Sequence, residues 1–283
     1  MSEKNTASRT KNSTSLWVII AMLVITGIIL VIALRPSGGE APPSESSNPP
    51  GAENGDSPHL AELQALAAKD ERVKTVIENL DEYPEVFINL LLKNPDARTF
   101  VLNYPEHKND TSVGELTAAE TSGGLPPLYQ WDARWGYTDY GSGKLGITGC
   151  GPTCLAILAV GIGGENVTPA EVAKFSEENR HYTAEGGTSW SLFTEGAANY
   201  GHTATPVTLW ESSMVEVLEA GNPIVVNVGP GDFTDFGHYF IITGYEDGAF
   251  TIHDPNSSTK SAKTWTYEIL QPQISRLWAI SNL

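Results

Sequence analysis

The longest apolar run lies near the start of the chain. Residues 16–34 (LWVIIAMLVITGIILVIAL) carry no charge. At ~1.5 Å per residue, a helix of that length approaches the roughly 30 Å hydrocarbon core of a bilayer. A helix apolar on every side over this length predicts a transmembrane anchor rather than a core helix. Lys4, Arg9 and Lys11 precede it and only Arg35 follows closely, so the positive-inside rule keeps residues 1–15 in the cytoplasm and sends the rest out. The run is longer than a signal-peptide core and no Ala-x-Ala-like site closes it, so the anchor is expected to stay uncleaved.

After it the pattern changes character. Residues 35–58 are mostly Pro, Ser, Gly, Glu and Asn with little to bury, a linker by composition. From residue 59 a helical period begins: Leu60, Leu63, Leu66 and Ala67, continued by Val73, Val76, Ile77 and Leu80. Pro84 is expected to open a second helix and Pro95 a third, which Pro105 ends. Residues 59–105 thus form a small helical module whose apolar faces must pack on something; one expectation is that it covers the substrate groove. A second, polar linker spans 106–127. Residues 128–283 show helical patterns at 150–160, 169–179 and 190–200, then strand patterns at 223–228, 238–245, 249–254 and 275–280. Helices first and an antiparallel sheet afterwards predict an α+β domain.

Charge narrows the function. The net charge is -17, which disfavours nucleic acid as a partner, since phosphate binding is driven by Lys and Arg. Association with anionic lipid must then be hydrophobic. There are two cysteines, Cys150 and Cys154; a disulfide framework and a Cys-rich zinc site are both excluded. No His, Asp and Glu grouping has metal-ligand spacing, so neither metal nor cofactor is expected.

The strongest chemical signal is Gly149-Cys150-Gly151-Pro152-Thr153, where a glycine-rich turn runs into an apolar helix. Pro152 suits a first helical turn. Cys150 then sits at a helix N-terminus, whose partial positive charge favours a thiolate nucleophile. Its flanking glycines are expected to let a substrate backbone come close. Cys154, one turn further in, reads as a core residue. Among the histidines, His238 alone follows a glycine-rich loop and opens an apolar strand, a suitable place for a base. A three-residue loop at 246–248 would pair Tyr245 with Ala249 and Phe240 with Asp254. His238, Phe240, Ile242, Phe250, Ile252 and Asp254 then share a face, with Asp254 in reach of the His238 ring and His253 turned away; a two-residue loop would reverse this assignment. Gly186-Gly187-Thr188-Ser189 could line the groove, and Asp232 and Asp235 before His238 could favour a basic substrate.

Gln130-Trp131-Asp132-Ala133-Arg134-Trp135-Gly136, Gly149-Cys150-Gly151-Pro152-Thr153, Gly237-His238-Tyr239 and His253-Asp254-Pro255 together resemble the papain-like cysteine peptidases of the C39-like family, related to bacteriocin-leader-processing peptidases. The resemblance runs from about 129 to 280. It implies a papain-like fold for 128–283, with Cys150 as nucleophile, His238 as base, Asp254 as orienter and Gln130 as an oxyanion donor beside the Cys150 N–H. The implied reaction is peptide hydrolysis through a thioester, on peptides or cell-envelope proteins outside the membrane. Exporter-fused relatives work in the cytoplasm, so their leader substrates do not carry over. Two other readings are a cell-wall peptide amidase or endopeptidase, and a catalytically silent surface binding module.

Overall fold

In the computed structural model the described residues are 59–183 and 187–283; the expected anchor at 16–34 and linker at 35–58 lie outside them. Among the described residues no helix is long and apolar enough to cross a membrane. The helical period that begins at Leu60 is two helices, α1 (Leu60–Ala67) and α2 (Val73–Glu78). Between them the chain turns at Asp70, whose carboxylate accepts from Arg72 Nε and Nη2 at 2.9 and 2.7 Å. Pro84 caps α3 (Glu85–Lys93), and a turn from Pro95 leads into α4 (Arg98–Leu102). Pro105 does not end the third helix. It stands in the first turn of a short α5 (Tyr104–His107), where its missing N–H is no loss.

The module buries Leu63, Val76, Phe87, Leu91, Phe100 and Val101 together with Tyr137, and Trp131 and Ile147 pack on the same cluster. Its apolar faces therefore close on the start of the following domain, which answers what so small a helical unit packs against. Phe100 seats on Gly146, where a Cβ would come within 2.3 Å of its ring, so only glycine fits there. The second linker is pinned as well. Arg134 donates to both oxygens of Glu120 at 2.9 and 2.8 Å, while Leu116 and Leu125 pack on the main core. That ion pair outweighs burial and holds the Glu120 carboxyl down at about 2.

Two further helices carry the domain's helical half. Residues 151–160 of α6 (Cys150–Gly161) are all buried; burying each of its large aliphatics stabilises by roughly 1.5–3 kcal/mol. A capping box of Thr168 and Glu171 starts α7 (Pro169–Glu178). The expected helix at 190–200 is only α8 (Ser191–Thr194) followed by a 3-10 turn, Gly196–Tyr200, that ends at Gly201 in the left-handed region.

Six antiparallel strands follow: β1 (His202–Pro206), β2 (Ile224–Val228), β3 (His238–Glu246), β4 (Ala249–His253), β5 (Thr264–Trp265) and β6 (Ile274–Asn282), ordered β1-β6-β2-β3-β4-β5. α9 (Glu211–Glu219) precedes β2. Alternation sorts the strands onto two faces. Val225, Tyr239, Ile241, Trp278 and Ile280 meet α6 and α7, while Ile224, Val226, Phe240, Ile242 and Leu277 join Met214 of α9. The sheet is thus covered on both sides, the α+β arrangement expected, with its C-terminal half antiparallel.

Candidate active site

Cys150 is the first residue of α6 and is half-buried. The glycines beside it, expected from the sequence to let a substrate backbone come close, serve the protein's own packing as well. A Cβ on Gly149 would lie 2.4 Å from the Leu145 carbonyl, and one on Gly151 2.5 Å from the Thr188 side chain. Glycine at both positions lets the preceding turn and the Thr188 strand close around the sulfur. Cys154 is fully buried in the main core, and burial pushes its thiol well above the ordinary value.

The hairpin of β3 and β4 brings in the other two groups by a route that differs from the expected one. Glu246 pairs with Ala249, so the loop is two residues, Asp247 and Gly248, both with positive φ (51° and 80°). That is the twist-matched hairpin turn. Taken alone it would put Asp254 on the wrong face. The register then shifts between Ile242 and Gly244, leaving Thr243 as an extra residue in β3, after which Ile242 pairs with Ile252 and Ile241 with His253. This bulge restores the offset that a three-residue loop would have produced. His238 Nε2 donates to Asp254 Oδ1 at 2.7 Å, and the two side chains are 6% and 1% exposed.

Asp254 Oδ1 also accepts from the Asn256 N–H at 2.8 Å. Burial by itself lowers the His238 pKa, but the Asp254 charge and hydrogen bond, helped by the neighbouring Cys150, outweigh it and raise the imidazole to about 10. His253 faces away, with Nε2 donating to the Leu128 carbonyl at 3.3 Å, and burial lowers its pKa.

Gln130 lies in the same cleft, 2% exposed, and its Nε2 donates to the carbonyls of Gly146 and Ile147 at 3.0 and 3.2 Å. Its amide hydrogens are therefore engaged by the turn ahead of Cys150 rather than aimed at open space, and donation to an oxyanion requires release of the longer bond. The cleft around Cys150 and His238 encloses about 620 Å³. Gly187, Thr188 and Trp190 line one side, from the glycine-rich segment expected there. Asn227 and Asn256 were not singled out from the sequence. Asn227 is the one polar residue of β2, and that break in an apolar strand was the available signal; its Nδ2 donates to the His238 carbonyl at 3.3 Å and its Oδ1 accepts from Trp190 Nε1. Asp232 and Asp235 are both engaged: Asp232 accepts from Gln273 Nε2 at 2.6 Å and Asp235 pairs with Lys93. None of the helical module lines this cleft, so it does not cover Cys150. Among the described residues no cluster of His, Cys, Asp and Glu could hold a metal ion.

A model of the Peptidase_C39-like family matches residues 124–281, more than half of the chain. The chain belongs to the Peptidase_C39-like family. The match takes in Gln130, Cys150, His238 and Asp254 and leaves out the helical module. Two solved structures are similar to about half of the chain. One is the peptidase domain of Streptococcus ComA, a bifunctional ABC transporter of a quorum-sensing pathway, with 23% identity, 47% of this chain and 90% of that one covered, and a TM-score of 0.38. The other is a C39-like peptidase from Bacillus anthracis, with 16% identity, coverage of 48% and 90%, and a TM-score of 0.35. No curated protein matches.

Proposed function

We propose that this chain is a thiol peptidase, anchored by residues 16–34 with its C39-like domain outside the cytoplasm, and that Cys150, His238 and Asp254 carry its chemistry. The observation that carries this reading is the hydrogen bond from His238 Nε2 to Asp254 Oδ1 behind a cleft that His238 and Cys150 both line at the start of α6. An imidazolium held by Asp254 faces a sulfur at a helix N-terminus, an arrangement suited to a thiolate nucleophile. Sγ of Cys150 attacks the scissile carbonyl carbon. The oxyanion is held by the Cys150 N–H and by Gln130 Nε2 once it leaves the Ile147 carbonyl. His238 gives its proton to the departing amine as the C–N bond breaks, leaving a thioester. Water, deprotonated by His238, then attacks the thioester; the C–S bond breaks and the carboxylate product leaves. Substrates are expected to be peptides or proteins of the cell envelope.

The test is iodoacetamide labelling of the full-length chain from pH 4 to 9, with the site located by mass spectrometry. Labelling of Cys150 well below pH 8 that is lost in His238→Ala supports the pair. A Cys150 that reacts identically with and without His238 sinks it.

A further inference from the structure

The Cys150 cleft has a neighbour. A second hollow of about 450 Å³ adjoins it, and Ile147, Phe233, Thr234, Phe236 and Asn256 wall both. Its far wall is α3 and the turn after it, with Val86, Leu90, Lys93 and Pro95. Those residues lie outside the family match, so this hollow is added to the C39-like domain by the helical module.

The module is tied down beside it. Asn94 Nδ2 donates to the Asn256 carbonyl at 2.6 Å. The Asp96 carboxylate accepts from Ser257 Oγ, Thr259 N and Thr259 Oγ1, each at 2.9 Å. These bonds fix α3 against the loop that carries Asp254, so the hollow is pre-formed.

Its chemistry is mixed in a specific way. Phe233 is buried beneath it, stacked on Phe240 with centroids 4.4 Å apart. Phe236 and Val86, at 87% and 52% exposure, leave large apolar surface open to it. Three lysines line it, in a chain of net charge -17. Lys93 is paired with Asp235, and Asp232 keeps its charge beside the neutral Gln273, so three lysines stand against two carboxylates and the hollow is positive on balance. Among the described residues Lys260 Nζ donates to the neutral Phe233 carbonyl alone, at 3.3 Å, and lies 5.4 Å over the Phe233 ring. Among the described residues neither Lys260 nor Lys263 forms an ion pair. An apolar lip beside two cations without acidic partners is complementary to an apolar residue next to a carboxylate.

We propose that this hollow is an extended subsite of the substrate groove, seating an apolar side chain against Val86 and Phe236 and an adjacent acidic side chain against Lys260 and Lys263. Its part in turnover rests on the peptidase reading above; its binding preference does not. An acidic substrate segment crosses from the Cys150 cleft over Phe236, and the helical module supplies specificity that the C39-like domain lacks by itself.

Two measurements separate the readings. Full-length Cys150→Ala protein is titrated by fluorescence anisotropy with labelled nonapeptide pools of random flanks and a fixed Phe-Glu-Glu, Phe-Lys-Lys or Ala-Glu-Glu core. Phe-Glu-Glu should bind about 10-fold tighter than either other pool. The Lys260→Glu/Lys263→Glu variant should erase the preference for Glu, and Val86→Ser/Phe236→Ser the preference for Phe. Equal binding of all three pools overturns the subsite. In parallel, wild-type protein digests a proteome-derived peptide library. Cleavage sites should be flanked by apolar and acidic residues, a bias lost in the lysine variant. Cleavage that depends on Cys150 with an unchanged profile overturns the subsite and leaves the peptidase reading standing. Absence of such cleavage overturns the peptidase reading, while the anisotropy result still decides the subsite.

Discussion

His238 shows how one residue's surroundings set a pH range. Burial disfavours its charge, yet Asp254 and Cys150 raise it from 6.5 to about 10. The folded protein thus keeps a proton that the unfolded chain releases near 6.5. The resulting stabilisation is full below about 6.5 and is lost as pH climbs through about 10. Removing the Asp254 charge leaves burial opposed by Cys150 alone. Asp254→Asn is therefore expected to move the alkaline limb of kcat/KM down by roughly a unit or more, with at least about a 10-fold loss at pH 8. A pH-rate profile on any cleaved peptide checks both; an unmoved limb means that Asp254 does not set the imidazole's proton affinity. Cys150 and His238 were legible as residues because a glycine-flanked helix start and an apolar strand start leave a sequence trace. Asn256 left none, since its importance comes from its amide's bond to Asp254 Oδ1 at 2.8 Å.

The β3–β4 hairpin is an element whose outcome depends on two local choices that compensate. Asp247-Gly248 makes the loop one residue shorter than the sequence pattern suggested, and Thr243 adds the residue back as a bulge. Side-chain direction in a strand alternates with every residue, so either choice alone would turn Asp254 away from His238. If the proposed peptidase chemistry holds, deleting Thr243 is expected to reduce activity by more than about 100-fold, because Asp254 moves to the opposite face from His238. Retained far-UV circular dichroism would show that the sheet still forms; retained activity would mean that the bulge is not what aligns the pair. The sequence exposed the strands through their Ile, Phe and Tyr content; the available signal for the bulge was Gly244, a glycine inside an otherwise strand-favouring run, next to the exposed Thr243.

At the scale of the whole molecule, the helical module and the C39-like domain share one core. Phe100 is 4% exposed, stacks on Tyr137 with centroids 4.6 Å apart, and fills the space over Gly146. Gly146 in turn offers its carbonyl to Gln130. Phe100→Ala is expected to cost about 3–5 kcal/mol, read as a shift in the urea midpoint, and to lower kcat by loosening the turn that holds Gln130. Removal of residues 59–107 should expose Tyr137, Trp131 and Ile147 and lower the Tm sharply; an unchanged Tm would show that the module is dispensable for folding. The strap at 108–127 adds an acid limit. Glu120 is held at about 2 by Arg134, below its ordinary 4.5. Its contribution is present above about 4.5 and lost as pH falls towards 2. Glu120→Gln should flatten the acid side of the stability curve, measured by urea unfolding between pH 2 and 5.

The sequence by itself determined the class of fold, the helical module and the place of Cys150 at a helix start, because periodicity, proline and glycine act locally. Only the tertiary structure decided which face Asp254 occupies, what the glycines around Cys150 accommodate and where the module packs. Two of those depend on atoms far apart in the chain, Thr188 closing on Gly151 and Phe100 on Gly146, and the first on a bulge that resets strand parity within one hairpin. Short-range patterns do not encode such meetings, so β1, α9 and the hollow between module and domain left little trace before the chain was folded.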